Sequence, residues 1–153
     1  MFVIATDDPR AADVQALVAR HLTFAHEHSP PEDVHALGVS GLLDPAVTFY
    51  SARRDGELLG IGALKEIDPT HGELKSMHTV AAARRTGIGR AMVDHLVGVA
   101  VERGYRRVSL ETGTMDAFEP ARTLYRAAGF TACGPFDGYV PSAASAFMTR
   151  TLG

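Results

Sequence analysis

Residues 84–90 read Arg84-Arg85-Thr86-Gly87-Ile88-Gly89-Arg90, between a strand-like run, Glu73 to Val80, and a segment with Ile88, Met92, His95, Leu96 and Val99 at helical spacing. The spacing predicts a helix over 87–103, with Arg103 in its last turn and Gly104 as its C-terminal cap. A helix N-terminus carries partial positive charge and favours Asp or Glu, so Arg84, Arg85 and Arg90 are misplaced there by a few tenths of a kcal/mol each. A bound anion removes the conflict. Gly87 and Gly89 have no Cβ, so the N–H groups of the first turn can approach such an anion closely. The competing reading is a solvated arginine cluster beside a flexible turn. Two nucleotide patterns can be tested on the same residues. A triphosphate loop needs Lys and then Ser or Thr after its second glycine, and Arg90-Ala91 stand there instead. A dinucleotide fingerprint needs Gly or Ala three residues after its second glycine, where Met92 stands; Glu111, near the end of the next strand, is the one feature that keeps a nicotinamide cofactor open.

Working outward, Phe2 to Ala5 reads as a strand, and Asp8-Pro9 opens a helical pattern through Ala12, Leu17, Val18 and Leu22. A second, shorter helix is expected after Ser29-Pro30-Pro31. Val47 to Arg53 and Glu57 to Leu64 flank Asp55-Gly56, a hairpin signal, and should pair antiparallel. Arg107 to Glu111 reads as a buried strand, 117–128 as a helix ended by Gly129, and two short strands near Phe130 to Cys133 and Ala144 to Thr151 close the chain. The order predicts an α/β protein of the α+β type: one mixed, mostly antiparallel central sheet with helices on both faces, in a single domain over residues 1–153.

The 153 residues suffice to bury a core, and 46% hydrophobic with 22% charged residues is ordinary for a globular protein. A formal charge of -3 gives no reason to expect nucleic acid as a partner. One cysteine, Cys133, excludes an intrachain disulfide, and no apolar run is long enough to span a bilayer. The first residues carry no basic leader, so no membrane partner and a cytoplasmic location are expected. Seven histidines raise the question of a metal, but His21, His26, His28 and His35 show no ligand spacing, and none is expected.

Arg84, Gly87 and Gly89 also meet the pyrophosphate motif of the GNAT superfamily of acyl-CoA-dependent N-acyltransferases, and the chain resembles that superfamily over nearly its whole length. Met77-His78-Thr79 falls where the family's fourth strand offers backbone groups to the cofactor. Ala121-Arg122-Thr123-Leu124-Tyr125 and Gly129-Phe130 look like its second cofactor-contacting helix and the exit into the sixth strand. Through Ala63-Leu64-Lys65-Glu66, Lys75-Ser76-Met77 and Ser109-Leu110-Glu111-Thr112-Gly113, the chain is similar to a bacterial branch labelled indole-3-acetate acetyltransferase-like. A carboxylic acid is a poor acetyl acceptor; the resemblance to the N-acyltransferase superfamily implies instead the amine of a small molecule or peptide. The resemblance implies a GNAT-like fold and acetyl-CoA as cosubstrate, held by Met77, His78, Thr79, Arg84, Arg85, Thr86, Gly87, Ile88, Gly89, Arg90, Ala121 and Tyr125. Phe118 departs from it, standing where many members have Asn, so that contact must be absent or replaced.

Acetyl transfer from a thioester needs a neutral nucleophile, a stabilised oxyanion and a proton for the leaving thiolate. By resemblance, backbone N–H groups near His78 and Thr79 polarise the carbonyl and Tyr125 is the acid; its alternative role is packing on the helix's apolar stripe. Glu111 is the candidate base, at a strand end where desolvation raises a carboxyl pKa. Glu73 or a water chain could serve instead, and either carboxylate could simply pair with Lys75 or an arginine. The segment His26 to His35 and Tyr139 are candidate walls of the acceptor pocket. A non-catalytic CoA-binding module is the alternative function, a dinucleotide-dependent oxidoreductase a more distant one, and a homodimer is left open.

Overall fold

A computed structural model describes residues 1–153. Seven strands form one open sheet, in the order β1-β2-β3-β4-β5-β7-β6. They are β1 Val3–Thr6, β2 Val47–Arg54, β3 Glu57–Asp68, β4 His71–Thr79, β5 Arg107–Gly113, β6 Thr131–Cys133 and β7 Ser145–Thr151. The helices are α1 Ala12–His28, α2 Val39–Leu42, α3 Ile88–Glu102 and α4 Glu119–Ala127. All neighbouring strands pair antiparallel except β4 and β5, which run parallel and are joined through α3, the crossover that parallel strands require.

The expected mixed, mostly antiparallel sheet with helices on both faces is what forms. Asp55 and Gly56 take φ of 50° and 83°, as a two-residue hairpin turn demands, and join β2 to β3. β3 continues past Leu64 to Asp68 with its residues alternately half-buried and exposed, a run too polar to stand out by hydrophobicity. In place of one short helix after Ser29-Pro30-Pro31, the chain makes a single 3-10 turn at Pro31–Asp33 and only later the one-turn α2. On one face, Met92, Val93 and Leu96 of α3 pack with Leu64, Leu74, Val108, Leu110 and Tyr125. On the other, Val14, Leu17 and Val18 of α1 pack with Leu42, Phe49 and Ile61.

The sheet is incomplete at its centre. β4 pairs with β5 only from His71 to Glu73, against Arg107 to Ser109, and the two strands then part. Just beyond, β4 carries a bulge: Ile61 pairs with His78 but Ala63 with Lys75, so Ser76 and Met77 together face the single residue Gly62. Ser76 takes a left-handed φ of 56°, unusual for a residue with a side chain, and its buried Oγ has no partner. An inserted residue bends its strand and deepens the local twist. Gly62 makes the bulge sterically affordable, because a Cβ there would lie 2.7 Å from Met92 Cγ and 2.8 Å from the Met77 sulfur.

Gly62→Ala should therefore overpack the contact between the bulge and α3. The expected cost is about 1–3 kcal/mol in urea unfolding. An unchanged midpoint would mean that Met77 and Met92 have room to move.

Candidate active site

Where β4 and β5 part, a cavity of about 640 Å³ runs through the sheet, a volume typical of small-molecule sites. Its lining includes Gly87, Gly89 and Thr79 on the α3 side and Phe24, Lys75 and Tyr139 on the α1 side. It therefore connects the two faces of the sheet.

The α3 side gathers arginines and free N–H groups at a helix start. Arg84 leaves the preceding turn in an extended conformation, and Arg85 and Gly87 then take φ of 63° and 88°. Gly87 is the N-cap of α3 and offers no side chain to its first-turn N–H groups, and that turn holds no acidic residue. Gly89 presses against α4, since a Cβ there would lie 3.2 Å from Leu124 Cδ2. Arg84, Arg85, Gly87, Ile88, Gly89 and Arg90 all border the cavity. Thr86 does not: its hydroxyl turns back to donate to the Ala83 carbonyl. Arg90 is partly committed elsewhere, with Nε 3.0 Å from Asp94 Oδ1 and Nη1 3.3 Å from the Ala127 carbonyl.

Met77, His78 and Thr79 line the cavity from β4. Beyond Glu73 the backbone groups of β4 that face β5 have no strand partner, so they are available to a ligand lying in the gap. Opposite stand Glu111 of β5 and Ala121 and Tyr125 of α4. Arg122 holds this end of α4 in place through hydrogen bonds to the Gly113 and Met115 carbonyls. Phe118, at the departure from the family pattern, fills the space that a Cβ at Gly113 would need and meets Phe24 edge-on, 5.3 Å between centroids. Phe118 thus links α1 to the start of α4 through a ring contact.

Burial raises the Glu111 pKa to about 7. The nearby Ser145 hydroxyl and the Lys75 charge oppose the rise, while the charges of Glu73 and Asp33 add to it. Ser145 Oγ has no partner at hydrogen-bonding geometry, so its pull on Glu111 is that of a nearby dipole. Glu111 can therefore take up a proton near neutrality. Burial, and then the Glu111 charge, push the Tyr125 pKa well above that of a free phenol, so this side chain stays protonated as a donor must.

Glu73 is held differently. Only 1% exposed, it accepts a 2.6 Å hydrogen bond from the Tyr139 hydroxyl on Oε2, and Lys75 Nζ lies 3.3 Å from the same oxygen and 2.9 Å from the Tyr139 hydroxyl. The expected ion pair with Lys75 is present, and Tyr139, a candidate wall, is its third member. Ser29, Asp33, Val34 and His35 of the expected 26–35 wall also border the cavity.

Sequence reasoning missed the His21–His78 pair. Their Nδ1 atoms lie 3.0 Å apart, so one donates and the other accepts. Burial first, and then each other's proximity or nearby cations, lower both pKa values to about 4, which keeps the pair neutral. The available signal was helical spacing: His21 follows Leu17 by four residues and precedes Phe24 by three, on the inward stripe of α1. No group of three or more His, Cys, Asp or Glu is placed to hold a metal, and no helix is long and apolar enough to cross a membrane.

The sequence model of the Acetyltransferase (GNAT) family matches residues 11–130. The chain belongs to the GNAT acetyltransferase family. The acetyltransferase is 48% identical to YsnE, an uncharacterized N-acetyltransferase of Bacillus subtilis (strain 168), over 97% of this chain and 99% of that one. It is 33% identical to the IAA acetyltransferase of Azospirillum brasilense, over 97% of each. A Bacillus subtilis acetyltransferase solved in complex with CoA shares its fold, with a TM-score of 0.74 and 17% identity over 99% of both chains. Membership in this family takes away the ground for a dinucleotide-dependent oxidoreductase.

Carbon-13 NMR of the Glu111 carboxyl should show titration near pH 7 instead of the usual carboxylate range. Lys75→Met removes a cation that favours the ionised form, so the midpoint should move higher still. A midpoint near 4.5 in the wild type would mean that water reaches the carboxyl freely.

Proposed function

We propose that the acetyltransferase moves the acetyl group of acetyl-CoA to the primary amine of a small molecule or peptide. The observation that carries this reading is the cavity through the sheet, which joins the Arg84–Arg90 cradle on one face to Glu111 and Tyr125 at the parting of the strands. The glycines, free N–H groups and arginines of that cradle suit a pyrophosphate. Beyond it, the unpaired edge of β4 at Met77, His78 and Thr79 suits the amide-bearing arm, and Ala121 leaves room beside it. Acetyl-CoA supplies an activated acyl group and a thiol leaving group.

The chain's own residues then manage two protons. An amine arrives as an ammonium and must lose a proton before its lone pair can attack; Glu111, poised near neutrality, accepts it. N–H groups at His78 and Thr79 stabilise the oxyanion. As the C–N bond forms and the C–S bond breaks, Tyr125 donates its hydroxyl proton to the departing sulfur, and the second proton, lost from the acetylated nitrogen, restores the Tyr125 hydroxyl. Glu73 is the weaker candidate base, because its Oε2 is already engaged by Tyr139 and Lys75.

Tyr125→Phe keeps the ring against Phe130, 6.0 Å away between centroids, and removes only the hydroxyl. With an acceptor that turns over, kcat should fall about 10²- to 10⁴-fold while acetyl-CoA affinity stays near wild type. Single-turnover measurement keeps slow product release from masking the loss. Wild-type kcat under those conditions would make Tyr125 a packing residue and assign the proton to another donor.

A further inference from the structure

The α1 side of the cavity is aromatic and acidic together. Phe24 of α1 and Phe118, just before α4, form one near-perpendicular ring pair. His35, in the segment after α1, and Tyr139, between β6 and β7, form another, with centroids 4.9 Å apart at 84°. The sheet register relates the pairs: Glu73, bonded to Tyr139, is level with Ser109, and the Phe118 ring lies over Gly113, four residues further along β5. Glu111 falls midway, so the carboxylate placed to deprotonate the amine has a ring pair on either side.

The charges here are Glu73, Glu111 and Asp33 against Lys75, and Lys75 is already bonded to Glu73 and Tyr139. Glu73 Oε1 is buried without a partner, whereas Oε2 takes both of its neighbours. A buried carboxylate oxygen without a donor is costly, and a ligand N–H is what would complete it. His21 and His78 add neutral rings and no charge to this wall.

We infer that the acceptor is an aromatic primary amine that binds as its ammonium, its ring between the Phe24–Phe118 and His35–Tyr139 pairs and a short aliphatic arm carrying the nitrogen to Glu111 and Glu73. This rests on the amine-acetylation reading above and narrows it. A ring can meet both pairs edge-to-face, which an aliphatic chain cannot. An acidic ligand such as indole-3-acetate would set another carboxylate beside Glu73, Glu111 and Asp33, with the one nearby lysine already engaged.

Release of CoA thiol from acetyl-CoA, measured with phenethylamine, n-butylamine, putrescine and indole-3-acetate, tests the inference. Phenethylamine is expected to exceed n-butylamine by about 10-fold or more in kcat/KM, and indole-3-acetate should be inert. Phe24→Leu keeps apolar bulk without the ring and should narrow that gap through KM, with kcat little changed. Glu73→Gln should raise KM for both monoamines by about 10-fold. Asp33→Asn, at a less buried position, should do so more weakly; acetyl-CoA affinity reports that each variant is folded. Equal or better use of n-butylamine or putrescine would overturn the aromatic assignment. Turnover of indole-3-acetate, or an unchanged KM in both carboxylate variants, would overturn the cationic one. If acetyl-CoA binds and no amine reacts, the amine reading itself fails and this inference falls with it.

Discussion

A parallel strand pair that stops pairing after three residues governs this structure. Had β4 and β5 stayed in register beyond Glu73 and Ser109, their backbone groups would have satisfied one another and closed the sheet. The bulge at Ser76 and Met77, opposite Gly62, comes just after the parting and turns the strand's end. The same interruption leaves β4 with unpaired backbone groups and opens a passage between the sheet's faces. The arginine- and glycine-rich turn and Tyr125 lie on the α3 side of that passage, and Glu73, Lys75 and Tyr139 on the α1 side.

The electrostatics follow from what burial does to each group. Glu111 lies in the gap without a strong cation bonded to it, so desolvation dominates and its pKa rises to about 7. Glu73 is still more buried, but its Oε2 is bonded to Tyr139 and Lys75. Two carboxylates on one sheet face thus differ in character because one has dedicated partners and the other does not. Tyr125, adjacent to Glu111 and buried, is held protonated by the same desolvation that raises the Glu111 pKa.

Much of this was legible in the sequence because it rests on local chemistry. The Asp55-Gly56 hairpin, the helix that begins after Gly87 and ends before Gly104, and the arginine- and glycine-rich turn are each written in a few consecutive residues. The strand-end position pointed to Glu111 and the family resemblance to Tyr125, and the fold brings both to one cavity. What escaped depends on register and on contacts far apart in the chain. The Ser76 bulge has no glycine to announce it, since its space is provided by Gly62 on the neighbouring strand. Tyr139 reaches Glu73 across 66 residues and His21 reaches His78 across 57, and no spacing rule joins such pairs. The single expected helix after Pro30-Pro31 became a 3-10 turn and a one-turn helix, because the chain turns extended at Val34 and at Gly38, and Gly38 and Gly41 are poor helix formers.

The central claim is that one ligand lies across the opened edge of β4 while its phosphates sit at the start of α3. Backbone amide NMR during an acetyl-CoA titration addresses it directly. The amides of Met77 to Thr79 and of Gly87 to Ala91 should shift along one binding curve, with those of β1 and β2 unmoved. Shifts at the arginine turn alone, with the β4 amides silent at saturation, would contradict the claim and reduce the site to a surface anion patch.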